Sequence, residues 1–153
     1  MSAERYTIDT NVLFYAVDRS AGAKHDLAVE IVNRLVDRAC VLTVQALAEF
    51  VASVTRKGRV SKADAVFQAS GWLALFPVAA ASPTALASAL RAYDQGRLGI
   101  WDALLLATAR EAGCAIALSE DMHDGGKLLG VAVRNPFGVG GLPDDLRALL
   151  GMT

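Results

Sequence analysis

Short β-forming runs alternate with longer helical ones along this 153-residue chain. That alternation restricts it to an α/β layered fold with a short, mostly parallel central sheet flanked by helices. Arg5-Tyr6-Thr7-Ile8-Asp9 reads as a strand ending in a polar turn. Asn11 to Val17 is helical, and Ala23 to Ala39 carries the helical period through Leu27, Ile31, Val32 and Leu35. Cys40 to Val44 has the character of a buried strand; a helix from Gln45 to Lys57 follows, with Gly58 as its C-cap. The next helix opens at Ser61 as N-cap, with Asp64 at the capping-box position. Leu75 to Ala80 is a strand candidate that Pro77 marks as an edge or a short piece. Helices over Pro83–Gln95 and Ile100–Ala112, strands over Ala115–Leu118 and Val131–Arg134, and a terminal helix over Asp144–Leu150 complete the pattern. With no repeat, low-complexity run or linker, residues 1–153 are expected to form one domain.

Composition removes several function classes. Hydrophobic residues make up 54% and charged residues 20%, a globular balance rather than a disordered one. Charges interrupt every long apolar run before the roughly 18 residues that a spanning helix needs, so no membrane role is expected. The opening Met1-Ser2-Ala3-Glu4-Arg5 lacks the layout of a secretion signal. Cys40 and Cys114 lack metal-type spacing and read as reduced core thiols, which places the chain in the cytoplasm. Net charge is -1, but setting four of the 16 acids aside leaves 12 against 15 basic residues, a balance of +3. That distribution is compatible with RNA.

In open parallel sheets, ligands collect beyond the carboxyl ends of the strands, so acids there carry the most information. Asp9 ends the first strand, as a helix N-cap or as a carboxylate at the sheet edge, with Asn11 two residues on to orient it or to bind a metal-bound water. Glu49 lies on a polar helical stripe with Gln45, Ser53 and Arg56, either solvated or facing the same cleft. Asp102 caps its helix or, if the helix has already begun, borders a core face at an energetic cost. Asp121 follows the strand Ala115–Leu118, as ordinary turn chemistry or as a second strand-end carboxylate helped by Ser119. Glu120 and Asp124 stand close by.

Together these stretches resemble the PIN-domain family, in particular the VapC type of ribonuclease toxin. Ile8-Asp9-Thr10-Asn11-Val12-Leu13 resembles its first motif, and Gln45-Ala46-Leu47-Ala48-Glu49-Phe50 its second. Gly99-Ile100-Trp101-Asp102-Ala103-Leu104-Leu105-Leu106-Ala107 is similar to the third, and Leu118-Ser119-Glu120-Asp121-Met122 to the fourth. Val131 to Phe137 looks like the closing strand, so the likeness runs from about residue 6 to residue 137, in family order. From Gly138 onward nothing matches. The resemblance implies that Asp9, Glu49, Asp102 and Asp121 form a catalytic acidic cluster binding Mg²⁺ or Mn²⁺. Asn11 and Ser119 support that cofactor site by hydrogen bonds, Ser119 standing where many relatives have Thr. It further implies a homodimer, an RNA substrate, and a small antitoxin protein whose C-terminal segment covers the acidic groove.

The chemistry suits the residues. Mg²⁺ prefers oxygen ligands and keeps several waters, so a few carboxylates hold it. Hydrolysis of an RNA phosphodiester by a metal-activated water is the expected reaction, with Asp9 and Asp102 as direct ligands. Glu49 and Asp121 are left as ligands, supporting groups or the base that positions water. The Arg56-Lys57-Gly58-Arg59 run with Lys62 is either a solvated helix end or a contact for the RNA backbone. His25 and His123 read as surface residues, and Gly125-Gly126-Lys127 is too short for a nucleotide loop. A haloacid-dehalogenase-type phosphatase is the main enzymatic alternative, but it calls for an Asp where this chain has Asn11. A non-catalytic receiver-type or binding module is the other, and it leaves Glu49 and the Trp101-Asp102 stretch unexplained.

Overall fold

The computed structural model describes residues 4–122 and 126–152. His123, Asp124 and Gly125, on which part of the sequence reading falls, lie outside them. In chain order come β1 (Tyr6–Ile8), α1 (Thr10–Tyr15), a 3-10 turn (Arg19–Ala21), α2 (Ala23–Val36), β2 (Leu42–Thr43), α3 (Val44–Arg56) and α4 (Lys62–Leu75). Then follow β3 (Val78–Ala79), α5 (Pro83–Asp94), α6 (Ile100–Glu111), β4 (Ile116–Leu118), β5 (Lys127–Leu128), β6 (Val131–Arg134) and α7 (Asp144–Leu149).

The main sheet runs β1-β4-β6-β5, with β1, β4 and β6 parallel and β5 antiparallel at the edge. β2 pairs in parallel with β3 as a separate ribbon, which a parallel bridge between Tyr6 and Cys40 ties to β1. All three residues of β1 and of β4 are buried, the pattern of strands covered on both faces. Their register pairs Ile8 with Leu118, and the Asp9 amide donates to the Leu118 carbonyl at 2.9 Å. The residues that follow, Asp9 and Ser119, therefore emerge side by side at the sheet's carboxyl edge.

Three differences from the sequence reading have local causes. The expected strand at Cys40–Val44 shrinks to two residues, and the Leu75–Ala80 candidate is a short piece of two residues. At one end Thr43 caps α3 by accepting from the Ala46 amide at 3.0 Å; at the other, α4 runs on to Leu75. β5 was not anticipated. It reverses into β6 through Leu129-Gly130, both at positive φ (52° and 79°), the backbone of a tight hairpin turn. α2 stops at Val36, three residues before the expected end.

The core centres on α3, which buries Ala46, Leu47, Phe50 and Val54 on one face; Phe50 meets Trp72 of α4 edge-on, ring centres 5.0 Å apart. The chain beyond Gly138 closes this core, because Leu142, Leu146, Leu150 and Met152 are buried in it. Arg134 at the end of β6 anchors α7 through two hydrogen bonds to Asp145, at 2.8 and 2.9 Å. Cys40 and Cys114 are free, buried thiols, and burial pushes Cys114 up to about 11. Among the described residues no helix is long and apolar enough to cross a membrane.

Candidate active site

One cleft of about 290 Å³ is lined by Asp9, Glu49, Asp102 and Asp121, each from a different part of the chain. Asp9 arrives from β1. It is also the N-cap of α1, accepting from the Thr10 amide at 2.7 Å, so the capping and cleft readings both hold for one side chain. Its second oxygen accepts from Ser119 Oγ at 2.7 Å and from Asn11 Nδ2 at 3.4 Å.

Asn11 spans the two strand ends. Its amide nitrogen donates to Asp121 Oδ2 at 3.0 Å, while its amide oxygen accepts from the Glu120 backbone at 3.2 Å. Ser119 in turn receives the Asp121 amide at 3.3 Å. These bonds hold the two loops together at the sheet edge.

Asp102 is not the cap of its helix. Gly99 is, and Asp102 sits in the first turn of α6, where the helix dipole favours a negative charge. Glu49 projects from α3 on the stripe Gln45, Glu49, Ser53, Lys57, at strict four-residue spacing. Gln45 Nε2 donates to Glu49 at 2.8 Å and to the Trp101 carbonyl at 3.0 Å, tying α3 to α6 beside the cleft. Lys57, not Arg56, completes the stripe at the cleft: four residues from Ser53 brings it round to the same side. Its ammonium group stands 5.1 Å from the centre of the Phe14 ring.

Burial is the main reason that the Asp9 carboxyl is pushed up to about 6; the Ser119 and Thr10 hydrogen bonds act against it, and Asp102 and Asp121 raise it further. Asp102 is also raised, first by burial and then by Asp121 and Glu49. Asp9 and Asp102 thus each carry the repulsion of neighbouring acids on top of burial. The four acids line the cleft without converging on one point, and among the described residues no three acidic, histidine or cysteine groups are gathered to hold an ion. Their donor set nevertheless fits a hard divalent cation: oxygen only, partly desolvated, and short of countercharge.

Glu120 stands apart from this group. It accepts from Tyr15 Oη and Lys24 Nζ, both at 2.7 Å, and so its charge is already met by α1 and α2. No local pattern marks this arrangement, since Glu120 lies far along the chain from Tyr15 and Lys24. His25, expected at the surface, is partly buried, with Nδ1 2.8 Å from the Tyr15 carbonyl.

A family model described as the PIN domain matches residues 6–123. The chain belongs to the PIN-domain family. No curated protein sequence matches it. Among solved structures, this PIN domain is similar to the DNA-bound VapBC of Salmonella typhimurium, with a TM-score of 0.63 and 13% identity over 86% of this chain and 98% of that one. A toxin–antitoxin complex from Klebsiella pneumoniae gives 0.60 and 18%, covering 86% and 96%. Mycobacterium tuberculosis VapC20, described as a Sarcin-Ricin loop cleaving toxin, gives 0.55 and 18%, covering 73% and 86%. At such identities the likeness is one of fold. Membership in a nuclease family does not favour the phosphatase or receiver readings.

Proposed function

We propose that this PIN domain is a metal-dependent endoribonuclease and the toxin partner of an antitoxin protein. The observation that carries the reading is the cleft at the sheet's carboxyl edge, whose walls take Asp9, Glu49, Asp102 and Asp121 from four separate segments. Asp9, Asp102, Asp121 and Glu49 are the proposed holders of Mg²⁺ or Mn²⁺, with Asn11 and Ser119 orienting Asp9 and Asp121. The bound ion supplies positive charge for the phosphate and acidifies attacking water. Asp9, ionised and aligned by Ser119, presents its free electron pairs to the cleft; Glu49, held by Gln45, is placed to orient the water. Lys57 on the rim offers a positive charge to the RNA backbone.

The VapBC complexes among the similar structures support an antitoxin partner. A second copy of the chain is the other proposed partner: Leu86, Leu90 and Tyr93 form an exposed apolar stripe on α5 at helical spacing. Sedimentation should then show a dimer that Leu90→Arg converts to a monomer; an unchanged dimer removes that interface.

Alanine at Asp9 or Asp102 is expected to abolish RNA cleavage while thermal unfolding stays cooperative. Full residual cleavage in either variant contradicts the assignment. In a bacterial host, expression of the wild-type chain should arrest growth and Asp102→Asn should not; equal growth of both removes the toxin role.

A further inference from the structure

Beside the acidic cleft lies a second, larger cavity of about 730 Å³. The two adjoin along the chain: Tyr15 and Lys57 line the cleft, and the next residues, Ala16 and Gly58, line the cavity. We propose that this cavity binds the single-stranded segment of RNA that continues from the scissile phosphate, with Arg19 and Arg59 on its backbone and Phe67 under a base. The inference rests on the ribonuclease reading of the neighbouring cleft.

Charge and shape favour that occupant. Arg19 and Arg59 line the cavity, Lys57 stands at its junction with the cleft, and Arg56 and Lys62 are exposed on the flanking helix ends. Two acids, Asp18 and Asp64, also line it and balance Arg19 and Arg59 in the lining itself, so the excess of positive charge comes from Lys57, Arg56 and Lys62 around its edge. Asp18 is buried, accepting from the Ser20 amide at 3.1 Å and the Ser20 hydroxyl at 2.5 Å, with Arg59 3.7 Å away. Asp64 lies in the first turn of α4, where the helix dipole offsets it.

Phe67 is the odd residue on this wall. It lines the cavity yet is 82% exposed, so folding gains little from its ring. Arginines beside an exposed aromatic face are the arrangement by which proteins hold unpaired nucleic acid, because every base offers a ring to stack and every phosphate a charge. Duplex RNA would present paired, stacked bases and leave the Phe67 ring unused. The polar lining with two arginines distinguishes this cavity from the apolar grooves beside Val44 and Leu73, which suit a protein chain better.

The test uses the full chain carrying Asp9→Asn, so that RNA is bound without being cut, and fluorescent oligouridylates of two to eight nucleotides. Affinity by anisotropy is expected to rise about tenfold or more as the RNA lengthens from two to six nucleotides. Phe67→Ser and Arg19→Gln should each remove that gain, and Phe67→Tyr should restore it. Arg19→Gln should also lower the slope of log affinity against log salt by about 0.7, the value of one single-strand phosphate contact. Both residues are exposed, so matching melting temperatures verify the fold. Binding that is indifferent to length, or variants that bind like their parent, overturn the proposal. Wild-type cleavage is followed in parallel: cutting with unchanged variant binding overturns this subsite alone, whereas no cutting overturns the nuclease reading.

Discussion

Ser119 Oγ donates a 2.7 Å hydrogen bond to Asp9 Oδ2, joining the ends of two neighbouring parallel strands across 110 residues of sequence. That bond is made only because β1 and β4 pair in a register that ends both strands at the same level. It offers the buried Asp9 carboxylate a donor where water has been excluded.

The metal-free protein should become less stable as pH rises through the Asp9 titration. A carboxyl raised from 3.8 to about 6 on folding holds its proton more tightly in the native state. Its contribution is therefore greatest below about pH 4 and is lost as pH climbs past 6, reaching a cost of about 3 kcal/mol at neutral pH. Asp9→Asn should stabilise the protein at pH 7 in EDTA by an amount of that order, measured by urea unfolding, and leave it nearly unchanged at pH 4. A variant less stable than wild type at pH 7 contradicts the burial argument.

Ser119→Ala removes a bond that favours ionised Asp9, so it should raise that carboxyl further and carry the acidic limb of the pH–rate profile to higher pH. Loss of such a supporting bond typically weakens metal affinity about 10–100-fold. Cleavage rates across a pH series check the first effect, and manganese titration calorimetry checks the second. An unshifted profile means that Ser119 does not position Asp9.

Glu120 is adjacent to Asp121 but is held by Tyr15 and Lys24. Glu120→Gln should keep cleavage within about threefold of wild type, a surface-scale effect. Asp121→Asn should lower it by about 100-fold or more, as loss of an essential charge does. Kinetics on one RNA substrate separates the two; equal losses would make Glu120 part of the cluster.

Leu146 is fully buried where α7 closes the core. Leu146→Ala should cost about 3 kcal/mol of stability through the cavity left behind. Chemical denaturation measures this, and a change below about 0.5 kcal/mol would mean that α7 does not support the core.

How legible the molecule was in its sequence depended on what each feature needs. β1 and β4 were readable because both are short runs of β-forming or apolar residues ending at an acid or hydroxyl, and the mostly parallel sheet followed from the alternation of strands with helices. The β5–β6 hairpin was not, because its turn is Leu129-Gly130 rather than Asn-Gly, and a leucine at φ 52° gives no advance signal. The four acids were legible one by one only as alternatives, since Asp9 is a helix cap and a cleft carboxylate at once. Lys57 in place of Arg56 turned on one residue of helical phase. The Tyr15–Glu120–Lys24 contact and the core role of Leu142, Leu146 and Leu150 depend on tertiary packing, which no local pattern in the chain records.

The most direct test of the central claim is cleavage of a labelled, structured RNA by the purified chain in Mn²⁺, in Mg²⁺ and in EDTA, with Asp9→Asn alongside. The account predicts cutting that requires the divalent ion and disappears in the variant. Cutting that persists in EDTA or in Asp9→Asn, or none from the wild-type chain with either ion, would contradict it.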